Sequence, residues 1–204
     1  PSTKLTESTK DNLSKKLEGD VEGKINTELT NLCARADFDV NIIPRLGSIT
    51  NKQRVEDTIK NFKIDTIYHA AAYKHVPLME RNPAEAIKVN IQGTKTLADL
   101  ANENGVSEFV MVSTDKAVNP TNVMGASKRI AEIYTQSLNK ESKTKFITTR
   151  FGNVLGSNGS VIPLFKKQIE QGGPLTVTHE EVTRFFMTIP EACQLVLEAG
   201  SMGE

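Results

Sequence analysis

The sequence predicts an α/β fold in which a doubly wound parallel sheet carries helices on both faces. From residue 40 onward, short apolar runs alternate with segments of helical spacing, which is the pattern of βαβ units. The apolar runs are nearly continuous, as in parallel strands buried on both faces. Small and polar residues follow these runs directly, in "HAAA", "STDK" and "RFGN". Ligands bind at the carboxyl ends of strands in such sheets, so we expect the chemistry there.

Composition narrows the class of protein. The 204 residues allow one domain with a sizeable core. Lys plus Arg equals Asp plus Glu at 25 each, so no basic field attracts nucleic acid or an anionic membrane. Cys33 and Cys193 lack metal-ligand spacing, which favours a reducing, cytoplasmic compartment. The sequence has neither an apolar run long enough to span a bilayer nor the apolar centre of a signal peptide.

The first 36 residues differ in character from the rest. Residues 1–36 are polar, with apolar positions only loosely spaced, and they predict either a mobile lead-in or a weak amphipathic helix. Residues 37–204 carry the alternating strand and helix pattern and are predicted to form the α/β domain. It opens with a strand in "DVNIIPRLG" that ends at Gly47, a helix in "NKQRVEDTIKNF" and a buried strand in "DTIYHAAA".

The later elements continue the alternation. Pro near a first turn and Gly after a last turn mark several helix ends. The predicted elements are a helix from Pro83 to about Asn104, a strand over Phe109 to Val112, a helix from about Asn122 to Asn139, a strand in "KFITTRFG", a helix from Ile162 to Gln171 and a helix from Pro190 to Gly200.

The strand-end segment "STDK" concentrates reactive groups. Ser113, Thr114, Asp115 and Lys116 bring two hydroxyls, a carboxylate and an amine to a predicted ligand-facing edge. An acid and a base side by side can share proton transfers if their environments separate their pKa values. The alternative is an exposed ion pair that caps the following turn.

Met124 and Lys128 lie one helical turn apart and share a face. The lysine could hold a ribose, or it could be a solvated helix residue, while a methionine at this spacing is ordinarily part of the core. Small residues at Ala70, Ala71 and Ala72 could admit a dinucleotide, or they could reflect tight packing. Asn90 could tie neighbouring loops together or be a solvated helix residue.

Histidines and arginines give weaker signals. His69 closes a strand and is predicted to be packed or hydrogen-bonded, whereas His75 and His179 lie in polar segments that could reach a substrate. No carboxylate or second imidazole completes a set of metal ligands, so no metal is expected. Arg150 and Arg184 could face phosphate oxygens, or they could be surface ion-pair partners.

Three long segments together resemble a known family. They are "YHAAAYKHVPLMERNPAEAIKVNIQGT", "STDKAVNPTNVMGASKR" and "RFGNVLGSNGSVIPLFKKQIEQGGPLTVTHEEVTRFFMTIPEA". From about Val40 onward the chain resembles the nucleotide-sugar 4,6-dehydratases of bacterial polysaccharide biosynthesis, extended short-chain dehydrogenase/reductases acting on UDP-N-acetylglucosamine. The superfamily's usual Tyr-x-x-x-Lys pair is Met124 and Lys128 here, as in one branch of it.

The resemblance implies a Rossmann-like domain that uses NAD and a UDP-sugar, with two hydride transfers and loss of water across C5 and C6. It implies catalytic roles for Thr114, Asp115, Lys116, Met124 and Lys128. It implies cofactor contacts from Ala70, Ala71, Ala72, Asn90, Ser113 and Lys128. It implies substrate contacts from Lys74, His75, Asn153, His179 and Arg184, with residues 152–204 supplying the substrate-binding elements. Homo-oligomers formed through long helices are also implied.

The sequence departs from that family in two places. It has no G-x-x-G-x-x-G turn for the pyrophosphate, and Gly47-Ser48 stands where the family has Gly-Asp. We therefore expect residues 37–204 to form a partial NAD-binding and catalytic domain that lacks its first βα unit. We expect none of the N-terminal spanning helices of membrane-anchored relatives. A catalytically silent chain that binds UDP-sugar or pairs with an intact relative is the alternative. A nucleotide-sugar epimerase is a third interpretation, against which Asp115, Lys116 and Met124 argue.

Overall fold

The structure is a computed structural model that describes residues 43–157, 161–177 and 179–202. The chain divides into two compact units, Pro1–Ser48 and Ile49–Glu204. Residues 43–48 contain neither helix nor strand, so the strand predicted to end at Gly47 is wrong over its described part. Pro44 has no N–H to donate to a ladder, and Ile43 is 51% exposed, so this apolar stretch is not paired into a sheet core. The prediction for residues 1–36 lies outside the described residues.

The second unit alternates helices and strands as expected. In chain order its elements are α1 Lys52–Phe62, β1 Thr66–His69, α2 Val76–Arg81, α3 Pro83–Ala86, a π-helix Ile87–Gly93, α4 Thr94–Glu103, β2 Glu108–Thr114, a 3₁₀ turn Asp115–Ala117, α5 Val123–Leu138, β3 Lys145–Phe151, β4 Asn153–Val154, α6 Val161–Glu170, β5 Phe186–Met187 and α7 Ile189–Met202. The predicted helix from Pro83 to Asn104 is thus interrupted by a π-helical segment. Helix α2 and the two-residue strands β4 and β5 were not predicted.

The main sheet is parallel, with strand order β1-β2-β3. Ile67 lies opposite Phe109, and Val110 lies opposite Ile147. Strands β4 and β5 form a separate parallel pair, in which Asn153 lies opposite Phe186. The carboxyl ends of β1, β2 and β3 therefore meet at one edge of the sheet, which confirms the predicted parallel α/β arrangement.

Helices cover both faces of this sheet. On one face Phe109 and Met111 are fully buried against residues of α1, α4 and α5. Burying a Phe side chain of this kind contributes about 2–3 kcal/mol. Alternate residues point the other way, where α7 packs over β2 and β3. Gly200 of α7 lies so close to β1 that an added Cβ would be 2.8 Å from the Tyr68 hydroxyl. The doubly wound layering is confirmed.

The start of α5 is fixed by two side chains, and this matters for the site described below. Asn122 is the N-cap, and its Oδ1 accepts from the Gly125 N–H at 2.8 Å. Glu80, on α2, accepts from the Val123 N–H at 2.7 Å. A carboxylate at a helix N-terminus satisfies a free donor and suits the helix dipole. Helix α2 therefore anchors the first turn of α5.

Candidate active site

A cavity of about 400 Å³ opens at the carboxyl edge of the sheet. This volume lies in the range of small-molecule pockets, about 300–1,000 Å³. Four segments form its walls: the loop after β1, the end of β2, the first turns of α5 and the chain from β3 into α6. Ten predicted site residues line it: Ala70, Ala72, Lys74, His75, Ser113, Thr114, Lys116, Met124, Lys128 and Asn153.

A chain of hydrogen bonds runs along the wall of this cavity. The Thr114 hydroxyl donates to Asp115 Oδ1 at 2.9 Å, and Lys116 Nζ donates to the same oxygen at 3.0 Å. Lys116 Nζ also donates to Asn153 Oδ1 at 3.0 Å. Burial alone would raise the pKa of Asp115, but the bonds from Lys116 and Thr114 outweigh it and hold that pKa below its usual value. The pair is therefore an ionised carboxylate that accepts from the Lys116 amine and the Thr114 hydroxyl.

This geometry decides between the two interpretations of "STDK". The segment Asp115–Ala117 is a 3₁₀ turn capped by the Thr114 hydroxyl, which accepts from the Lys116 N–H at 3.3 Å, so the ion pair lies within the turn and does not cap it. Both side chains are also half-buried, and Lys116 lines the cavity and reaches across to β4. The ion pair is therefore part of the cavity wall, and the capping is done by Thr114.

Lys128 lies deep in the same cavity and is only 5% exposed. Its Nζ donates to the Val112 carbonyl at 2.7 Å. Burial lowers the pKa of Lys128 to about 8, partly countered by the charge of Glu132. A lysine has three N–H donors, so this one retains donors for a ligand beyond its bond to Val112.

Met124 serves both the core and the cavity. It is buried with Met79 and Ala86, and it also lines the cavity one turn before Lys128. Met124 is thus part of the core, as the alternative predicted, and it also lines the cavity with the other predicted site residues. A thioether is at most a weak acceptor, so this side chain contributes shape and apolar surface.

Close backbone approach fixes how α5 meets the 3₁₀ turn. A Cβ added at Gly125 would lie 2.2 Å from the Lys116 carbonyl oxygen and 3.3 Å from Pro120 Cβ. No larger residue fits there without moving backbone. The turn that carries Lys116 and the helix that carries Lys128 are therefore locked together at this contact.

Asn90 holds the loop after β1 in place. Its Oδ1 accepts from the Tyr73 N–H at 2.8 Å and its Nδ2 donates to the Tyr73 carbonyl at 3.0 Å. Nδ2 also donates to Ser127 Oγ at 2.9 Å, which connects the loop to α5. Asn90 is fully buried in the π-helix, a segment type often found at functional sites. Of the two predicted roles, tying neighbouring loops together is the one that the structure shows.

His69 is a structural residue, as its position in the sequence predicted. It is buried at the end of β1 and its Nε2 lies 2.8 Å from Thr94 Oγ1. Because the Thr94 hydroxyl donates to the Asn90 carbonyl at 2.7 Å, the imidazole Nε2–H must be the donor to Thr94. Burial, with the nearby Lys128, lowers the pKa of His69 to about 3, so the ring stays neutral.

The residues present fit the nicotinamide end of a dinucleotide cofactor. Ser113 is 3% exposed at the cavity, and its hydroxyl is near enough to the buried Glu132 carboxylate to lower the pKa of that group, but it makes no hydrogen bond of ordinary geometry within the described residues. A buried hydroxyl of this kind is costly unless a ligand or water satisfies it. The small side chains of Ala70 and Ala72 leave room beside it, and Lys128 offers donors.

A buried carboxylate behind the cavity was missed by the sequence analysis. Glu132, one turn after Lys128 on α5, has no exposed surface and accepts from Arg150 and Arg129. Arg150 is thus an ion-pair partner, which was the alternative to a phosphate-facing role. A Glu four residues after the helix lysine was the available signal, but without a structure it reads as a solvated helix residue.

Five predicted site residues do not line the cavity: Ala71, Asn90, Asp115, His179 and Arg184. Asp115 and Asn90 act on it through their bonds to Lys116 and Tyr73. His179 and Arg184 are exposed; the His179 ring accepts from the Glu181 N–H at 3.2 Å and Arg184 donates to the Thr183 carbonyl at 2.8 Å. The described residues contain no group of three or more His, Cys, Asp or Glu side chains arranged for a metal. None of the helices in the described ranges is both long and apolar enough to span a membrane.

Comparison with known sequences places these features in context. A family model described as "Polysaccharide biosynthesis protein" matches residues 15–204. The capsular polysaccharide biosynthesis protein CapD of Staphylococcus aureus is 62% identical over 166 residues, which is 81% of this chain and 28% of CapD.

Two further relatives carry named activities. A UDP-glucose 4-epimerase of Rickettsia bellii is 43% identical over 161 residues, 78% of this chain and 47% of that protein. A UDP-N-acetylglucosamine 4,6-dehydratase (inverting) of Campylobacter jejuni is 40% identical over 156 residues, 74% of this chain and 46% of that protein. The chain spans less than half the length of these three relatives.

Solved structures agree on the fold. Pen from Bacillus thuringiensis superposes with a TM-score of 0.78 at 38% identity, covering 89% of this chain and 56% of Pen. DesIV of Streptomyces venezuelae, a dTDP-glucose 4,6-dehydratase solved with NAD, superposes with a TM-score of 0.71 at 23% identity, covering 79% of this chain and 55% of DesIV. The Rossmann-like class predicted from the sequence is confirmed.

Proposed function

Because the chain belongs to the family of polysaccharide biosynthesis proteins, we propose that its cavity serves the 4,6-dehydration of a UDP-sugar with NAD. The substrate is UDP-N-acetylglucosamine and the product a UDP-4-keto-6-deoxy sugar for bacterial surface polysaccharide. The observation that carries this proposal is the Thr114–Asp115–Lys116–Asn153 chain of hydrogen bonds in the same cavity as Lys128.

The reaction removes one water from the sugar. The C4 alcohol loses its hydroxyl proton and a hydride and becomes a ketone. The C5 hydrogen, now next to a carbonyl, leaves as a proton while the C6 hydroxyl leaves as water. C6 receives a hydride and C5 a proton. When bound, NAD+ supplies the hydride acceptor and, once reduced, the hydride donor.

The Asp115–Lys116 pair handles the protons of the elimination. Asp115 is ionised and Lys116 carries the protons that bind it, so the pair can take the C5 proton and deliver one to the departing C6 hydroxyl. Asn153 keeps Lys116 at the cavity wall through the bond to its Nζ. Asp115 and Lys116 therefore supply acid and base from one place.

The C4 hydroxyl needs a base of its own, and Met124 cannot provide one because a thioether does not exchange protons. Because Lys116 donates its protons to Asp115 and Asn153, the ionised Asp115 accepts that proton and returns it at C5 in the last step, with the Thr114 hydroxyl hydrogen-bonding near the C4 oxygen. The Thr114 hydroxyl already donates to Asp115, so a proton from the C4 hydroxyl can pass through it to the carboxylate. Met124 limits the space beside the sugar.

Lys128 would hold the nicotinamide ribose with the donors that Val112 leaves free, and Ser113 would satisfy its hydroxyl on the cofactor. Ala70, Ala71 and Ala72 would let the cofactor approach the backbone, and Asn90 would keep their loop in position. Lys74, His75 and Asn153 would contact the UDP-sugar from the cavity wall, with His179 and Arg184 contacting it from their exposed segment. We place the reaction in the cytoplasm.

We also propose that the chain forms homo-oligomers through its long helices. Ile130 and Ile133 of α5 are about half exposed on the side away from the cavity, and this supports such a contact. Sedimentation of the chain and of an Ile133→Glu variant tests it. A monomer in both cases would contradict it.

Mass spectrometry in heavy water tests the reaction itself. The 204-residue chain is incubated with NAD+ and UDP-N-acetylglucosamine in D2O. A product lighter by one water that carries deuterium at C5 supports dehydration. A product of unchanged mass with C4 inverted would instead support epimerisation, the candidate favoured by the Rickettsia bellii relative.

Calorimetry of NAD+ with and without UDP-N-acetylglucosamine separates enzyme from binding protein. Micromolar binding of both, with turnover, is the expected result. Binding of UDP-N-acetylglucosamine without NAD+ affinity or turnover, in a folded chain, would overturn the enzymatic proposal in favour of a silent UDP-sugar binder.

A further inference from the structure

The buried carboxylate of Glu132 is held by charged partners on two elements. Arg150 Nε donates to Oε1 at 2.9 Å and Arg150 Nη2 donates to Oε2 at 2.5 Å. Arg129, on the same helix, donates to Oε2 at 3.1 Å. Burial would raise the pKa of Glu132, but its interactions with Arg150, the Ser113 hydroxyl and Arg129 outweigh it and hold that pKa below its usual value. The side chain is therefore a buried, ionised carboxylate with a forked guanidinium partner.

Arg150 is the next-to-last residue of β3, and its register partner is Ser113. Two residues beyond it the chain passes through Gly152 and on to Asn153, both of which line the cavity. Glu132 is one turn after Lys128 on α5. The ion pair thus connects the carboxyl end of β3 to the part of α5 that carries Lys128.

A second link connects the same two elements at the far end of the sheet. Asn139, at the end of α5, donates to the Phe146 carbonyl at 2.8 Å and accepts from the Phe146 N–H at 2.7 Å. This link needs no charge and lies at the amino end of β3. The two links differ in which end of the strand they hold.

We propose that Glu132 is a positioning residue for the cavity: through Arg150 it holds the carboxyl end of β3, and with it Asn153, in a fixed place relative to Lys128. This inference rests on the proposed function for the reason that positioning matters, whereas the contacts themselves do not depend on that function. A bidentate guanidinium–carboxylate pair fixes direction as well as distance. Asn153 in turn accepts from Lys116, so the position of the acid–base pair also depends on this link.

Stability alone is a poor explanation for this pair. Buried ion pairs are weak contributors to folding, because desolvation offsets their attraction, and an apolar pair of similar size often serves as well. The carboxylate also acts on Lys128, whose pKa it raises against the effect of burial. His69 of β1, which is neutral, also interacts with Lys128.

Hydrogen exchange on the full chain without any ligand tests the inference. The Asn153 and Leu155 amides donate to the Phe185 and Met187 carbonyls at 2.9 and 2.8 Å, so they report on the end of β3. Glu132→Gln should speed their exchange about tenfold or more, while amides in the centre of β2 stay within about twofold. The matched control Asn139→Ala should speed exchange near Phe146 and leave Asn153 unchanged.

The reactivity of Lys128 supplies a readout that a merely structural role would not change. Competitive acetylation at pH 7, followed by mass spectrometry, should show Lys128 about threefold to tenfold more reactive in Glu132→Gln, because its amine loses the charge that favours its protonated form. Asn139→Ala should leave that reactivity unchanged.

Two results with Glu132→Gln would overturn the proposal. One is uniform loss of protection over β2 and β3, and the other is unchanged exchange at Asn153. If Glu132→Gln does not fold, Arg150→Lys, which keeps the charge but loses the fork, must give the same local pattern. Failure of both variants to fold would also overturn the proposal, because the pair would then be a requirement of the whole fold. Since no ligand is used, failure of the proposed dehydration leaves these outcomes readable.

Discussion

Two places in this molecule hold the same set of groups, a lysine, an aspartate and a hydroxyl, with different surroundings. On the outer side of α4 and α5, Lys95 donates to Asp99 at 2.6 Å and to the Tyr134 hydroxyl at 2.8 Å, and Tyr134 donates to Asp99. At the cavity, Lys116 and Thr114 donate to Asp115. Bond lengths alone would rank the outer set as the better formed. Location at the carboxyl edge of the sheet is what makes the cavity set a candidate for chemistry.

The sharpest way to break this comparison is to remove each lysine. We expect Lys116→Ala to lower formation of the 4-keto product by about 10²–10⁴-fold, the usual contribution of a positioned acid or base. Lys95→Ala should leave the rate within about twofold, since it lies outside the cavity. Product is measured by mass spectrometry, with folding checked by circular dichroism. Retained turnover in Lys116→Ala would remove this lysine from the mechanism.

Replacing each carboxylate by its amide gives the next largest contrast. Asp115→Asn should reduce product formation by about 10²-fold or more, because the proton of Lys116 loses its partner. Asp99→Asn should change unfolding free energy by less than about 1 kcal/mol and leave turnover intact, as for other exposed pairs. Urea titration measures the stability of both. Equal losses of turnover in the two variants would show that both aspartates act through folding and that Asp115 has no separate chemical role.

The contributions of Lys128 and Lys95 to stability should change in opposite directions as the pH rises. Lys128 has a folded pKa near 8, below its unfolded value of 10.5, so the folded chain binds fewer protons and stability from this group rises between those pH values. Lys95 has its pKa raised by Asp99 and Tyr134, so its contribution is present below its unfolded pKa and is lost as pH rises through the folded one.

Substitution should expose that difference directly. At pH 7 Lys128→Met removes a burial penalty of about 3 kcal/mol and a hydrogen bond worth about 1, for a net gain near 2 kcal/mol in unfolding free energy. Lys95→Met should lose about 0.3–0.5 kcal/mol. Thermal unfolding between pH 7 and 10 measures both. Destabilisation by Lys128→Met at pH 7 would show that its amine is better solvated than its burial indicates.

The smallest effect is expected at Met124, where leucine matches the methionine in volume. Met124→Leu should retain measurable turnover and lose less than about 1.5 kcal/mol of stability, and Met79→Leu in the same cluster is its matched control. Activity and urea midpoints are measured together. Complete loss of product in Met124→Leu, with fold and NAD binding intact, would assign the sulfur a role that a thioether's chemistry does not predict.

Periodicity predicted the alternating elements of the second unit because its strands are buried on both faces and its helices begin and end with clear signals. It failed at Ile43, where an apolar stretch next to a proline is exposed. It also missed the π-helix, because a segment of 7 residues is too short for its longer period to be distinguished from that of the α-helices on either side. The bonds of Asn90 to Tyr73 arise from a fold that brings together positions 17 residues apart.

The candidate site was foreseeable where its residues are adjacent in the chain. Thr114, Asp115 and Lys116 are consecutive, and Lys128 follows Met124 by one turn. Local sequence alone therefore brings the members of each of these two groups together. Glu132 could not be predicted as a site residue from local sequence. Its partner Arg150 lies 18 positions later on another element, and only the packing of α5 on β3 shows that the two share a buried contact.

The contact of Gly125 with the Lys116 carbonyl has a consequence for recombination between relatives. Because the two backbones touch where a Cβ would be 2.2 Å from an oxygen, the turn and the first part of α5 must be inherited together. A chimaera joined between residues 117 and 123 would combine backbones shaped in different proteins at that point. Crossovers are better placed before Ser113 or after Leu138, so that the segment between them moves as a single block.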